Sequence, residues 1–259
     1  MPKITIITIN YNNLGGLKRT VESVVNQTWK DFEYIVIDGG STDGSVGYIE
    51  SQTKYIDYWV SEPDKGIYNA MNKGIVKAKG DYVIFLNSGD HFFDNTALDK
   101  NHSFIKAKDF IYFNLNIIDD SKSIIRKYPE KLSFSYLYND TLPHPATFIR
   151  RYLFEEKGLY DESLKIVSDW KFFIENICKN NCSYLKVDET LSTFYLDGLS
   201  SDMENKSVIF SEKQFVLESG FSAYIQDMIH LKEFEDVVSN LKKSKKIQLL
   251  IKLGLLSKF

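Results

Sequence analysis

The chain has 259 residues, 43% of them hydrophobic and 14% aromatic, enough for one full core with appendages. A formal net charge of −3 leaves no overall basic field, which excludes nucleic acid as the expected partner. The two cysteines, Cys178 and Cys182, have no second Cys or His pair nearby to complete a zinc site, and this usage fits a reducing cytoplasm.

Lys3 to Asn10 reads KITIITIN, β-branched and almost wholly apolar, as in a strand buried on both faces. It lacks the charged-then-apolar build of a signal peptide, and no apolar run along the chain is long enough to span a bilayer. Asn12 to Gly16 is turn-like, and Leu17 to Gln27 has helical spacing through Leu17, Val21, Val24 and Val25. Phe32 to Ile37 is a second apolar strand, ending in Asp38 and GGSTDGS. A short helix and a short strand at Tyr58 to Val60 follow. Gly66 to Lys79 reads as a helix with Gly80 as its stop. Tyr82 to Leu86 is a third buried strand, ending in Asn87-Ser88-Gly89-Asp90.

This alternation predicts an α/β domain with a parallel, doubly wound sheet. Ligands of such sheets sit outside the carboxyl ends of the strands. Asn10 to Asn12, Asp38 to Asp43 and Asn87 to Asp90 are therefore expected to converge.

Beyond Asp94 the pattern changes. Phe110 to Ile118 and Ser123 to Tyr128 predict a hairpin turning at Asp119 to Lys122. Ser168 to Lys179 predicts a helix, Leu185 to Val187 and Leu191 to Tyr195 two strands, and Glu204 onward mostly helix. After Asp236 no acid occurs, and Lys242, Lys243, Lys245, Lys246, Lys252 and Lys258 alternate with Ile247, Leu249, Leu250, Ile251, Leu253, Leu255 and Leu256. A basic, apolar-faced helix suits a membrane surface; packing on the domain or on a second subunit of a homodimer suits it equally.

The glycine spacing of Gly39-Gly40-Ser41-Thr42-Asp43-Gly44 fits neither a dinucleotide fingerprint nor a P-loop. Asp38 suits a hydrogen bond from a base N–H with Tyr11 offering the base an aromatic face; Asp38 and Asp43 equally suit the turn and the cap of the next helix. Asp90, after a buried strand, suits Mg²⁺ or Mn²⁺ together with phosphate oxygens, or a plain turn.

IITINYNNLGGLKRTVESVVNQTWKDFEYIVIDGGSTDGS and SEPDKGIYNAMNKGIVKAKGDYVIFLNSGD together resemble the opening of family 2 glycosyltransferases, most closely bacterial enzymes of surface-polysaccharide synthesis such as capsule or lipopolysaccharide. The resemblance implies a GT-A fold, a Rossmann-like, mostly parallel sheet flanked by helices, with a helical C-terminal extension. It implies a GT-A domain over 1–220, divided into a nucleotide-binding half (1–95) and an acceptor-binding half (96–220), with a basic tail over 221–259. By position, Ile9 and Tyr11 match residues lining the base, and Asp38 the acid on the uracil edge. Asp64 and Lys65 lie in the loop near diphosphate and sugar. Asn87-Ser88-Gly89-Asp90 matches the Asp-x-Asp-Asp metal motif with Asp90 as ligand, though Asn87 and Gly89 replace two carboxylates.

Asp169, in VSDWKFF, matches the catalytic base of inverting members, where Ser168 replaces the usual Glu. His144, between two prolines in LPHPATFIRR, and Arg150 are candidates for acceptor or phosphate contact, with ordinary packing as the alternative. The implied reaction moves a sugar from a UDP-sugar to a hydroxyl of a glycan, free or lipid-linked, at the inner face of the cytoplasmic membrane. A non-catalytic sugar-nucleotide-binding subunit and a sugar nucleotidyltransferase are the alternatives.

Overall fold

Every residue from Ile4 to Asn10 (β1) is buried, as expected of a strand covered on both faces. The structure, a computed structural model, describes residues 3–119, 122–196, 198 and 201–257. After β1 come α1 (Leu14–Val25), β2 (Phe32–Asp38), α2 (Ser45–Ser51), β3 (Tyr58–Ser61), α3 (Ile67–Lys77), β4 (Tyr82–Phe85), β5 (His91–Phe92) and α4 (Ala97–Asn101). Then follow β6 (Phe110–Asp119), β7 (Lys122–Arg126), α5 (Phe134–Asn139), β8 (Thr147–Arg150), α6 (Tyr152–Lys157), α7 (Ser168–Ile174), β9 (Tyr184–Tyr195), α8 (Lys206–Gly220), α9 (Ser222–Lys243) and α10 (Lys245–Lys252).

The strands form one sheet in the order β3-β2-β1-β4-β8-β6-β9-β5, with β7 added to β6. β3, β2, β1 and β4 run parallel, and β8 is antiparallel to β4. Strand order reverses between β1 and β4, which opens a crevice at their carboxyl ends. Ile4, Ile6 and Ile7 of β1 are fully buried, each stabilising the core by roughly 1.5–3 kcal/mol. The two threonines of β1 have partners: Thr5 donates to Glu33 (2.7 Å) and the Thr8 hydroxyl bonds that of Tyr34 (3.0 Å).

Several local expectations shift. Helix α1 begins at Leu14 inside the expected turn, because the Asn13 side chain caps it by accepting from the Gly16 N–H. The expected helix over 168–179 is an α-helix followed by a π-helical turn, Glu175–Lys179. The two expected strands over 185–195 are one, β9, whose register against β6 slips near Asn114, where Asn114 reaches Asp188. Of the expected hairpin turn, Asp120 and Ser121 lie outside the described residues, as does Lys258 of the tail. The chain divides into two units, residues 1–212 and 213–259. No helix among the described residues is long and apolar enough to cross a membrane.

Candidate nucleotide and catalytic site

Parallel register sets Asn10, Asp38 and Ser61 side by side at the ends of β1, β2 and β3. Asp38 is fully buried, and both its oxygens are occupied. Oδ1 accepts from Asn10 (2.8 Å) and the Ser41 hydroxyl (2.6 Å); Oδ2 accepts from Ser61 (2.6 Å) and the N–H groups of Gly40 and Ser41 (3.2 and 2.9 Å). Burial pushes its carboxyl pKa up, but the bonds from Ser41, Ser61 and Asn10 outweigh this and hold it below the usual carboxylate value. In this arrangement Asp38 builds the turn, and a base N–H reaches its carboxylate only if a serine hydroxyl turns away. Asp43 serves the turn as well, accepting from Leu14 N–H at the start of α1 and from Ser45 at the start of α2.

Around that turn stand the other residues expected to line a base. Ile9 is buried within β1, and Tyr11 is 69% exposed. A Cβ on Gly39 would lie 3.0 Å from the Asp64 carboxylate and 3.1 Å from the Tyr11 ring, so glycine lets both side chains close over the strand end. Asp64 pairs with Lys73 (2.5 Å), which also meets Glu62 (2.8 Å). Burial acts to lower the Lys73 pKa, but these two carboxylates raise it above the ordinary lysine value. The Lys65 side chain is exposed.

Asn87-Ser88-Gly89-Asp90 crosses to the same end. Ser88 N–H bonds the Ile9 carbonyl (3.0 Å), and Ser88 and Asn13 exchange two further bonds. Gly89 has φ 116°, a conformation an L-aspartate rarely adopts, which accounts for the missing carboxylate there. The Thr20 hydroxyl, from α1, holds the turn: it accepts from Gly89 N–H (3.0 Å) and donates to the Asp90 carbonyl (2.6 Å). Asp90 is 7% exposed, and Asn87 Oδ1 is buried without a hydrogen-bond partner. Beside the turn, Arg19 lies over the Tyr195 ring (4.2 Å) and points a nitrogen at the Gly89 carbonyl (3.5 Å).

Asp169 opens α7 and is half-buried. The Tyr68 hydroxyl reaches both its carboxylate (2.8 Å) and the Ile166 carbonyl. Burial, then the Asp169 charge, raises the Tyr68 pKa well above its usual value, so the phenol keeps its proton. Glu212 accepts from the N–H groups of Lys165, Ile166 and Val167 and so fixes the loop that leads to Asp169.

His144 stacks on Phe85 at the end of β4 (4.9 Å between ring centroids) and bonds the Tyr160 hydroxyl (2.9 Å). Burial lowers its pKa against the pull of Asp169, so the imidazole is neutral at pH 7. His144 thus lies beside the end of β4, near enough to Asp169 to feel its charge.

Arg150 lies apart from these residues. β8 runs antiparallel to β4 and pairs Arg150 with Tyr82, at the opposite end of β4 from Asn87; the five residue steps from Tyr82 to Asn87 span roughly 17 Å. There Arg150 covers the Tyr152 ring, and Arg151 bonds the Gly80 carbonyl and Glu155. Among the remaining histidines, His91 bonds the Phe92 carbonyl and His102 stacks on Trp29 (5.1 Å). Burial pushes the Cys178 thiol up to about 11, unlike a reactive thiolate.

Thr20, Tyr68 and Glu212 escaped sequence reading because each acts across 45 residues or more; nothing local distinguishes Thr20 from any helical threonine.

Sheet order, crevice and strand-end turns are those of the GT-A fold. A family model described as glycosyl transferase family 2 matches residues 5–160. An uncharacterized glycosyltransferase of Mycobacterium tuberculosis is 32% identical over 212 residues, covering 80% of each chain. A PGL/p-HBAD biosynthesis glycosyltransferase of the same species is 27% identical over 184 residues, covering 67% of this chain and 69% of the relative. Among solved structures, S. aureus TarS 1-349 in complex with UDP superposes with a TM-score of 0.62 at 18% identity, covering 74% of this chain; the chain spans 60% of that structure. The Pyrobaculum calidifontis mannosyltransferase PcManGT, in complex with GDP-Man and Mn2+, gives 0.58 at 12% identity, covering 96% of this chain and 82% of its own. The chain belongs to glycosyl transferase family 2.

Proposed function

We propose that this glycosyltransferase inverts configuration, moving a sugar from a nucleoside diphosphate, UDP by preference, to a hydroxyl of a growing surface glycan. The observation that carries the reading is the convergence of Asn10, Tyr11, Asp38, Asp64 and Asn87 to Asp90 at the carboxyl ends of the parallel strands, with Asp169 held by Tyr68 and near His144. Tyr11 stacks on the base, and Ile9 and the Asp38 turn form its floor. Asp64 and Lys65 face the diphosphate and sugar, and Asn87 and Ser88 the ribose. Residues 1–95 form the nucleotide half and 96–220 the acceptor half.

The donor set suits a hard cation. It offers the Asp90 carboxylate, and among the described residues no group of three or more His, Cys, Asp or Glu could hold a metal without the substrate. Mg²⁺ is held this way elsewhere, by one or two carboxylates plus phosphate oxygens. Asp90 would hold Mg²⁺ or Mn²⁺ there, and the bound ion would supply positive charge against the departing diphosphate.

Asp169 takes the proton of the acceptor hydroxyl. The acceptor oxygen bonds the anomeric carbon as the bond to the diphosphate oxygen breaks, so an α-linked donor gives a β-linked product. Tyr68 and the Glu212-held loop keep Asp169 in place, and neutral His144 lines the acceptor side.

The test measures UDP release and glycan product with Mn²⁺ over a panel of UDP-sugars. Asp169→Asn should lower the rate about 10²–10⁴-fold with unchanged UDP binding, whereas Asp90→Ala should weaken Mn²⁺-dependent UDP binding. Wild-type rates in both variants refute the assignment. UDP-sugar binding without turnover in the wild type, under every condition, marks a binding subunit.

A further inference from the structure

The second unit leaves much of its apolar surface uncovered. Neither α9 nor α10 contains a buried residue. On α9, Leu231, Phe234, Val238 and Leu241 repeat at helical spacing along one face, with Phe234 70% exposed. A shallow groove of about 560 Å³ follows that stripe from Leu231 to Lys243. In α10, Leu249 and its end residue Leu253 are 56% and 62% exposed. At 3.6 residues per turn they share a face with Lys245, Lys246 and Lys252, while Ile247, Leu250 and Ile251 take the other side, where they are partly covered.

Charge decides what meets this surface. From Val237 to the chain end the sequence contains lysines and no acid. Among the described residues, no ion pair involves Lys242, Lys243, Lys245, Lys246 or Lys252. The partner must therefore be anionic and must also accept leucine. Nucleic acid supplies the first property and offers nothing to exposed aliphatic side chains. An anionic bilayer supplies both, because leucines enter the acyl boundary while lysine stems let their ammonium groups rise to lipid phosphates.

We propose that residues 237–256, the acid-free stretch, bind the surface of an anionic lipid bilayer, with Leu249 and Leu253 inserted and Lys245, Lys246 and Lys252 on lipid phosphates. The inference does not rest on the transfer reading, and its test uses no nucleotide.

The experiment is co-sedimentation of the full chain with vesicles of phosphatidylcholine alone or mixed with phosphatidylglycerol. Binding is expected to the mixed vesicles only, weakening as salt rises. Lys245→Gln with Lys246→Gln should weaken partitioning about thirty-fold, from roughly a five-fold loss at each lysine near an anionic surface. Leu249→Asn with Leu253→Asn should weaken it at least about ten-fold. All four positions are exposed, and circular dichroism checks that helix content is kept. Absent binding, or equal binding to both vesicles at every salt concentration, overturns the proposal. So does a dimer in sedimentation velocity that Leu249→Asn with Leu253→Asn dissociates while vesicle binding stays absent, which would assign the face to a second copy.

Discussion

Thr20→Val is the sharpest probe of the Asp90 turn. Valine matches threonine in shape but removes the hydroxyl that accepts from Gly89 N–H at 3.0 Å and donates to the Asp90 carbonyl at 2.6 Å. Thr20 is fully buried, so water cannot replace the lost bonds. Unsatisfied buried groups cost about 1–3 kcal/mol, which corresponds to a fall of roughly 2–10 °C in Tm for a domain of this size. The turn is also held by Ser88 and Asn13, so it should loosen rather than unfold. A displacement near 1 Å can cost about 100-fold where geometry matters. We therefore expect Mn²⁺-dependent UDP binding, measured by calorimetry, to weaken about ten-fold or more, and Thr20→Ser to stay close to wild type. Thermal unfolding and calorimetry on the three proteins check this. A Thr20→Val protein with wild-type Tm and wild-type UDP affinity would refute the view that α1 positions Asp90.

Asp38→Asn replaces an acceptor-only carboxylate with a group that puts N–H donors against donors from Ser41, Ser61 or Asn10. It should cost about 2–4 kcal/mol in urea unfolding, and an unchanged midpoint would mean that the turn does not need the charge. Asp161 carries the acid-stability prediction. Burial acts to raise its carboxyl, but Lys171 (2.7 Å) and Ser163 bring it down to about 2. Its folded pKa is depressed, so its contribution is fully present above the unfolded value near 3.9 and is lost as pH falls from about 4 to 2. Asp161→Asn should narrow the Tm difference between pH 5 and pH 3, and an unchanged difference removes Asp161 from the acid transition.

The amino-acid sequence determined β1 to β4, their parallel alternation with helices and the strand ends where polar residues gather. β1, β2 and β4 are buried on both faces and therefore read as mainly apolar runs, and polar turns follow each of them. The tail was legible for the same reason, since side-chain type at helical spacing is local information. What tertiary structure decided lies between segments. Arg150 sits at the far end of the sheet because β8 runs against β4, and strand direction is set by the path of the whole chain rather than by local pattern. Asp38 is consumed by donors from three strand ends, of which only the nearest could be read from its neighbours. Thr20 and Glu212 gained their roles from partners 45–70 residues away, contacts that form only once the sheet and its helices have packed.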